Sequence, residues 1–176
     1  MKRTLLFENQ ELLDFEVDFS TSEIRVLDAP DADDSLLCSL GFGGPDRDAF
    51  VADSIRVRRM SERREDAEQI LGAFGVHSAL ELAFRGRGLS LADKLWYRAP
   101  GATERWEDIN FPDNDWDASF CEAVLTHDYK RLASCSPDVP DVTTGGRARK
   151  AWEQTGDGIC LLKEPLYENG YDLIGA

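Results

Sequence analysis

The stretch "TTGGRARKAWEQTGDGICLLK" begins with Thr143, Thr144, Gly145 and Gly146 and ends on Lys163. Its residue types fit the handling of a phosphate. Glycines let an anion approach backbone N–H groups with no Cβ in the way, and the two hydroxyls add further polar groups. An apolar strand, "ICLLK", that ends on a lysine can hold an ammonium against phosphate oxygens. No Walker motif and no complete GxGxxG is present. On spacing alone, the plainer reading of a hairpin turn followed by a surface lysine is favoured.

Other groups offer less chemistry. Cys121, His127 and Cys135 match no standard zinc spacing. Asp108, Asp113 and Asp115 in "WEDINFPDNDWD" lack the glycine and the terminal glutamate of a calcium loop, so no metal ligands are assigned. The chain has 2 histidines, neither within a triad-like pattern, and His77 reads as a helix-end residue. No catalytic residue is assigned. The basic run "RVRRMSERR" (Arg56, Arg58, Arg59, Arg63, Arg64) reads first as a solvated helix face and second as a contact for a phosphate or partner. Trp96, Trp106 and Trp116 recur at equal intervals, and among so many acids they read as anchors rather than base-stacking platforms.

These groups sit in a chain of 176 residues with a net charge of −14, 42% hydrophobic and 31% charged residues. That composition suits a globular protein. The negative charge argues against direct nucleic-acid or anionic-membrane binding, while leaving room for a local basic patch. The 4 cysteines form no CxxC, and the N-terminus shows no apolar core of a signal peptide. A cytoplasmic protein with reduced thiols is expected. "ILGAFGV" is the longest nearly apolar run and is too short to span a bilayer.

Elements to position the groups can be read from periodicity. Leu13, Phe15, Val17 and Phe19 alternate with Asp14, Glu16 and Asp18, the pattern of a half-buried strand. Residues 4–7 and 23–29 read as strands on either side, making a small antiparallel meander. The loops fall at 30–34 and 41–46, with an ambiguous segment between them. A weak helical pattern covers 48–60. Ser61 with Glu62, Glu65 and Asp66 predicts a helix from 61 to 74 that stops at Gly75, and Ser78 starts a second that ends before Gly86. Residues 89–117 read as irregular, 119–133 as one helix, 136–142 as extended or loop, and 158–163 as a strand.

The segments "LSLADKLWYRAPGATERWEDINFPDNDWD" and "SPDVPDVTTGGRARKAWEQTGDGICLLK" resemble the front half of HipA-like serine/threonine kinase-fold proteins of bacteria and phages. The resemblance is carried by Gly88, Leu89, Ser90, Leu91, Asp93, Trp96, Pro100, Trp106, Asp108, Asn110, Phe111 and Asn114. It continues through Ser136, Pro137, Thr143, Thr144, Gly145, Gly146, Lys150, Ala151, Trp152 and Lys163. It implies that 143–146 form the loop over the ATP phosphates, that Lys163 is the strand lysine touching them, and that ATP with magnesium is the cofactor of the complete enzyme. Glu164 and Pro165 stand where the family has glycine.

Catalytic-lobe motifs are not found, so the chain is expected to be inactive alone. It would be the N-terminal part of a HipA-like kinase and one component of a split toxin–antitoxin or phage-related system. Its partner would be a catalytic lobe or an antitoxin-like protein. The alternative is an acidic protein-interaction module that binds no nucleotide. The fold expected is α+β: a meander and helices in 1–87, then a kinase-like N-lobe β element within 88–176.

Overall fold

The computed structural model describes residues 1–28, 34–41 and 47–164. Of the loops expected at 30–34 and 41–46, residues 30–33 and 42–46 lie outside the described residues, as do Ala29 of the third expected strand and Pro165, while Asp34 opens a helix rather than closing a loop. The architecture is mixed α and β, as the sequence predicts. Strands β1 (Lys2–Phe7), β2 (Gln10–Asp18) and β3 (Glu23–Asp28) form the antiparallel meander. Alternation on β2 buries Leu13, Phe15 and Val17, and leaves Asp14 and Glu16 partly exposed and Asp18 exposed. Two short helices, α1 (Asp34–Ser39) and α2 (Arg47–Val57), follow the meander.

The expected helix from 61 to 74 is shorter: α3 spans Ala67–Phe74. Arg64 and Asp66 explain the difference. Both are buried, and the Arg64 guanidinium grips the Asp66 carboxylate through Nε at 2.5 Å and a second nitrogen at 3.1 Å. Residues two apart on a helix face away from each other, so this pair favours non-helical backbone at 64–66, just before α3 begins. The predicted stop holds, with Gly75 left-handed (φ +60). Ser78 caps α4 (Ala79–Arg85) by accepting the Glu81 N–H at 3.1 Å.

Residues 89–117 are more regular than predicted. They contain β4 (Leu95–Arg98) and a single turn, α5 (Trp106–Ile109). β4 pairs antiparallel with β1, giving the sheet order β3-β2-β1-β4. "LWYR" shows no alternation because Leu95, Trp96 and Tyr97 are all buried. The predicted helix at 119–133 is two helices, α6 (Ala118–Leu125) and α7 (Tyr129–Leu132). His127 takes a left-handed conformation (φ +59) between them. The Asp128 and His127 N–H groups close the end of α6 on the Ala123 and Val124 carbonyls at 2.8 and 3.3 Å. A 3-10 turn, Pro140–Thr143, then leads to the hairpin of β5 (Lys150–Thr155) and β6 (Gly158–Lys163). β6 is the predicted strand, whereas β5 was not anticipated.

Three apolar clusters meet through shared elements. One lies under the four-stranded sheet, where the Phe15, Phe84 and Tyr97 rings contact at centroid distances of 4.9–5.8 Å. Each such aromatic pair adds about 0.5–1.5 kcal/mol beyond its buried area. The second gathers α3, α4, α6, α7 and the hairpin, with Ala151 and Leu162 as the hairpin's contributions. The third joins Leu6, Leu89, Trp96 and Phe111, with Trp106 and Trp116 packed against it. The tryptophans thus act as anchors of 89–117.

Candidate functional site

The 143–146 segment begins on the last residue of the 3-10 turn, and its hydroxyls are already engaged. Thr143 Oγ1 donates to the Leu89 and Pro140 carbonyls at 2.8 and 3.1 Å. Thr144 Oγ1 donates to the Pro140 carbonyl at 2.8 Å and accepts from Trp152 Nε1 at 2.8 Å. These bonds fix the path of the turn rather than offering both hydroxyls to a ligand. Gly145 and Gly146 are exposed, and their N–H groups donate to no described residue. Gly146 has φ +102, a conformation that disfavours any side chain, and a Cβ there would lie 2.5 Å from Lys150 Nζ.

Lys150 connects this turn to the hairpin. Its ammonium donates to the Gly145 carbonyl, and in the antiparallel register Lys150 lies opposite Lys163. Cross-strand partners share a face of the sheet, so the strand lysine and the turn sit at the same end of the hairpin. Burial, followed by the positive charges of Arg64 and Lys163, pulls the Lys150 ammonium below its ordinary value. Lys163 is exposed and makes no ion pair with a described residue. The structure therefore brings together the backbone of 143–146 and the strand carrying Lys163, with Lys150 between them. Sequence reasoning did not assign Lys150 to the site, although it lies within the matched "KAW".

Beneath the turn lies a buried charged layer. Arg64, bound to Asp66, also donates to the Lys150 carbonyl at 2.6 Å. Asp141, buried in the 3-10 turn, accepts the Trp152 N–H at 3.2–3.3 Å. Burial raises its carboxyl to about 7, against the opposing pull of Arg64 and of the Trp152 N–H. A buried group with that titration is a feature of structural ion networks as well as of sites.

The basic run is divided by the fold. Arg58 is buried, pairing with Asp93 and donating to the Gly88 and Leu95 carbonyls at 2.8 and 3.2 Å, and Arg64 is buried as described. For these two the solvated-face reading is corrected: each guanidinium satisfies internal acceptors that the apolar clusters would otherwise strand. Arg56, Arg59 and Arg63 remain at the surface and line one open groove of about 480 Å³ with Gly145 and Gly146. Two backbone hydrogen bonds hold its walls together, from Met60 N–H to the Val142 carbonyl at 2.9 Å and from Glu65 N–H to the Arg147 carbonyl at 3.1 Å. A larger hollow, about 650 Å³, lies by Val17, Phe19 and Arg25, but Glu16, Asp18 and Glu23 give it an acidic lining.

Among the described residues, no group of three or more His, Cys, Asp or Glu side chains is arranged to hold a metal ion, and no helix is long and apolar enough to cross a membrane. Asp108, Asp113 and Asp115 are exposed, and Cys121 and Cys135 are buried without a disulfide. Neither a family model, nor a curated protein, nor a solved structure matches this chain.

Proposed function

We propose that the chain is the phosphate-side portion of a HipA-like kinase fold, with 143–146 as the turn that faces nucleotide phosphates and Lys163 as the strand lysine that reaches them. One observation carries the reading. The hairpin register sets Lys163 opposite Lys150, whose ammonium holds the Gly145 carbonyl, so turn and lysine share one end of one small sheet. The free Gly145 and Gly146 N–H groups are suited to phosphate oxygens. Phosphoryl transfer also requires a metal, a base and an acceptor hydroxyl. ATP would bring magnesium with it, and the metal's protein ligands would come from a complementary lobe in a further segment or a partner protein. A component of a split toxin–antitoxin system is the cellular role that fits this arrangement. The protein alone is expected to transfer no phosphate.

The acidic interaction module remains the second reading, favoured by the internal engagement of the Thr143 and Thr144 hydroxyls. Calorimetry with ATP and magnesium separates the two. The kinase-like reading expects measurable binding that Lys163→Ala weakens. Absence of both heat and a melting-temperature change, with a binding partner supplied, would overturn it.

A further inference from the structure

We infer that the groove between the 56–63 segment and the Gly145–Gly146 turn is an oligophosphate site, with Arg59 and Arg63 as its principal ligands and the glycine N–H groups opposite them. The inference rests on the phosphate-turn reading and extends the phosphate contacts to the arginine side of the turn.

The first support is charge. Three guanidiniums and one carboxylate, Glu62, line the groove, in a chain whose net charge is −14. Arg56 is partly occupied by Asp53 at 2.7 Å, and Arg59 meets Glu62 at a long 3.3 Å. Arg63 has no ion pair among the described residues. Exposed pairs of this kind are weak, so an arriving phosphate displaces little. Guanidinium forks match phosphate oxygens in pairs, which an ammonium does not.

The second support is preorganisation. The groove joins two segments far apart in sequence, and the Met60–Val142 and Glu65–Arg147 backbone bonds fix their spacing. Gly146 holds a positive φ of +102, which disfavours a side chain there, and the Lys150 ammonium donates to the Gly145 carbonyl and so ties the turn to the hairpin. A ligand therefore meets walls already in place, with little ordering to be done.

The third support is ligand size. A long polyanion would have to cross acidic surface, which the overall charge opposes, whereas a short oligophosphate concentrates its charge within the groove. Val57, 74% exposed, supplies an apolar surface beside the arginines. That combination suits a nucleoside polyphosphate: charge for the arginines and a less polar remainder for that surface.

The test uses the full chain at low ionic strength, titrated calorimetrically with tripolyphosphate, ATP, adenosine and a phosphoserine peptide. Tripolyphosphate and ATP are expected to bind, adenosine not to, and affinity to fall as salt rises. The double variant Arg59→Ala/Arg63→Ala should weaken both about ten-fold or more, whereas Arg59→Lys/Arg63→Lys should retain part of the binding. Circular dichroism should show both variants folded, since the two side chains lie at the surface. Arg105→Ala, an exposed arginine outside the groove, should leave tripolyphosphate binding unchanged. No tripolyphosphate binding, or binding indifferent to the double alanine variant, overturns the inference. ATP binding that Lys163→Ala weakens but the double alanine variant does not would overturn it while leaving the kinase-like reading intact. A phosphoserine peptide that binds more tightly than either polyphosphate would overturn it in favour of a phosphoprotein ligand.

Discussion

Asp141 shows how one residue's environment sets a property of the protein. Its carboxyl is buried beside Arg64, Asp66 and Lys150 and titrates near about 7, because desolvation outweighs the attraction of Arg64. An unfolded aspartate titrates near about 3.9. The folded protein therefore binds the proton more tightly than the unfolded chain. Asp141 contributes stability in full below about pH 4, and that contribution falls as pH rises towards about 7. Asp14, Asp18, Asp117 and Glu107 are held below the ordinary carboxylate range and act oppositely, losing their contribution as pH falls into acid. Urea midpoints measured from about pH 4.5 to 7.5 should decline less in Asp141→Asn than in the unaltered protein, by on the order of a few kcal/mol across the range. Identical slopes would show that Asp141 is ionised throughout. The sequence could not reveal this residue, since "SPDVPDV" reads as an ordinary loop and burial is a tertiary fact.

At the scale of elements, what was legible depended on whether the signal was local. β2 announced itself because one face is buried and the other wet; Gly75 marked a helix end through its backbone freedom, and Gly86 another where a Cβ would lie 2.6 Å from the Pro137 carbonyl oxygen. β4 gave no such signal, since three successive side chains are buried between different neighbours. The break between α6 and α7 was hidden because His127, not glycine, takes the left-handed position. The two sheets should also differ in local stability. β1 is hydrogen-bonded on both sides, to β2 and β4, whereas β6 has β5 alone and leaves most of its residues half or fully exposed. Amide exchange should accordingly be slower in β1 than in β6 by about a hundred-fold or more. Equal protection would mean that the hairpin is tied into the global unfolding unit.

Across the whole molecule, the three apolar clusters interlock. β1 gives Leu5 to one cluster and Leu6 to another; α4 gives Leu80 and Leu82 to different clusters; β4 does the same with Tyr97 and Trp96. Loss of one cluster removes a wall of the next, so unfolding should be a single transition. Tryptophan fluorescence and far-ultraviolet circular dichroism should then give coincident urea curves. Separated midpoints would show that the clusters unfold independently.

The sequence by itself determined the meander, the helix stops, the strand ending on Lys163 and the glycine turn at 143–146, because each is written in the pattern of neighbouring residues. Only the tertiary structure decided how the turn is used. It committed the Thr143 and Thr144 hydroxyls to carbonyls, buried Arg58 and Arg64, and brought Arg56, Arg59 and Arg63 to Gly145 and Gly146. The bonds responsible, from Met60 to Val142 and from Glu65 to Arg147, span more than eighty residues. No local periodicity records such a meeting, because it is set by how the clusters pack and not by what precedes or follows each residue.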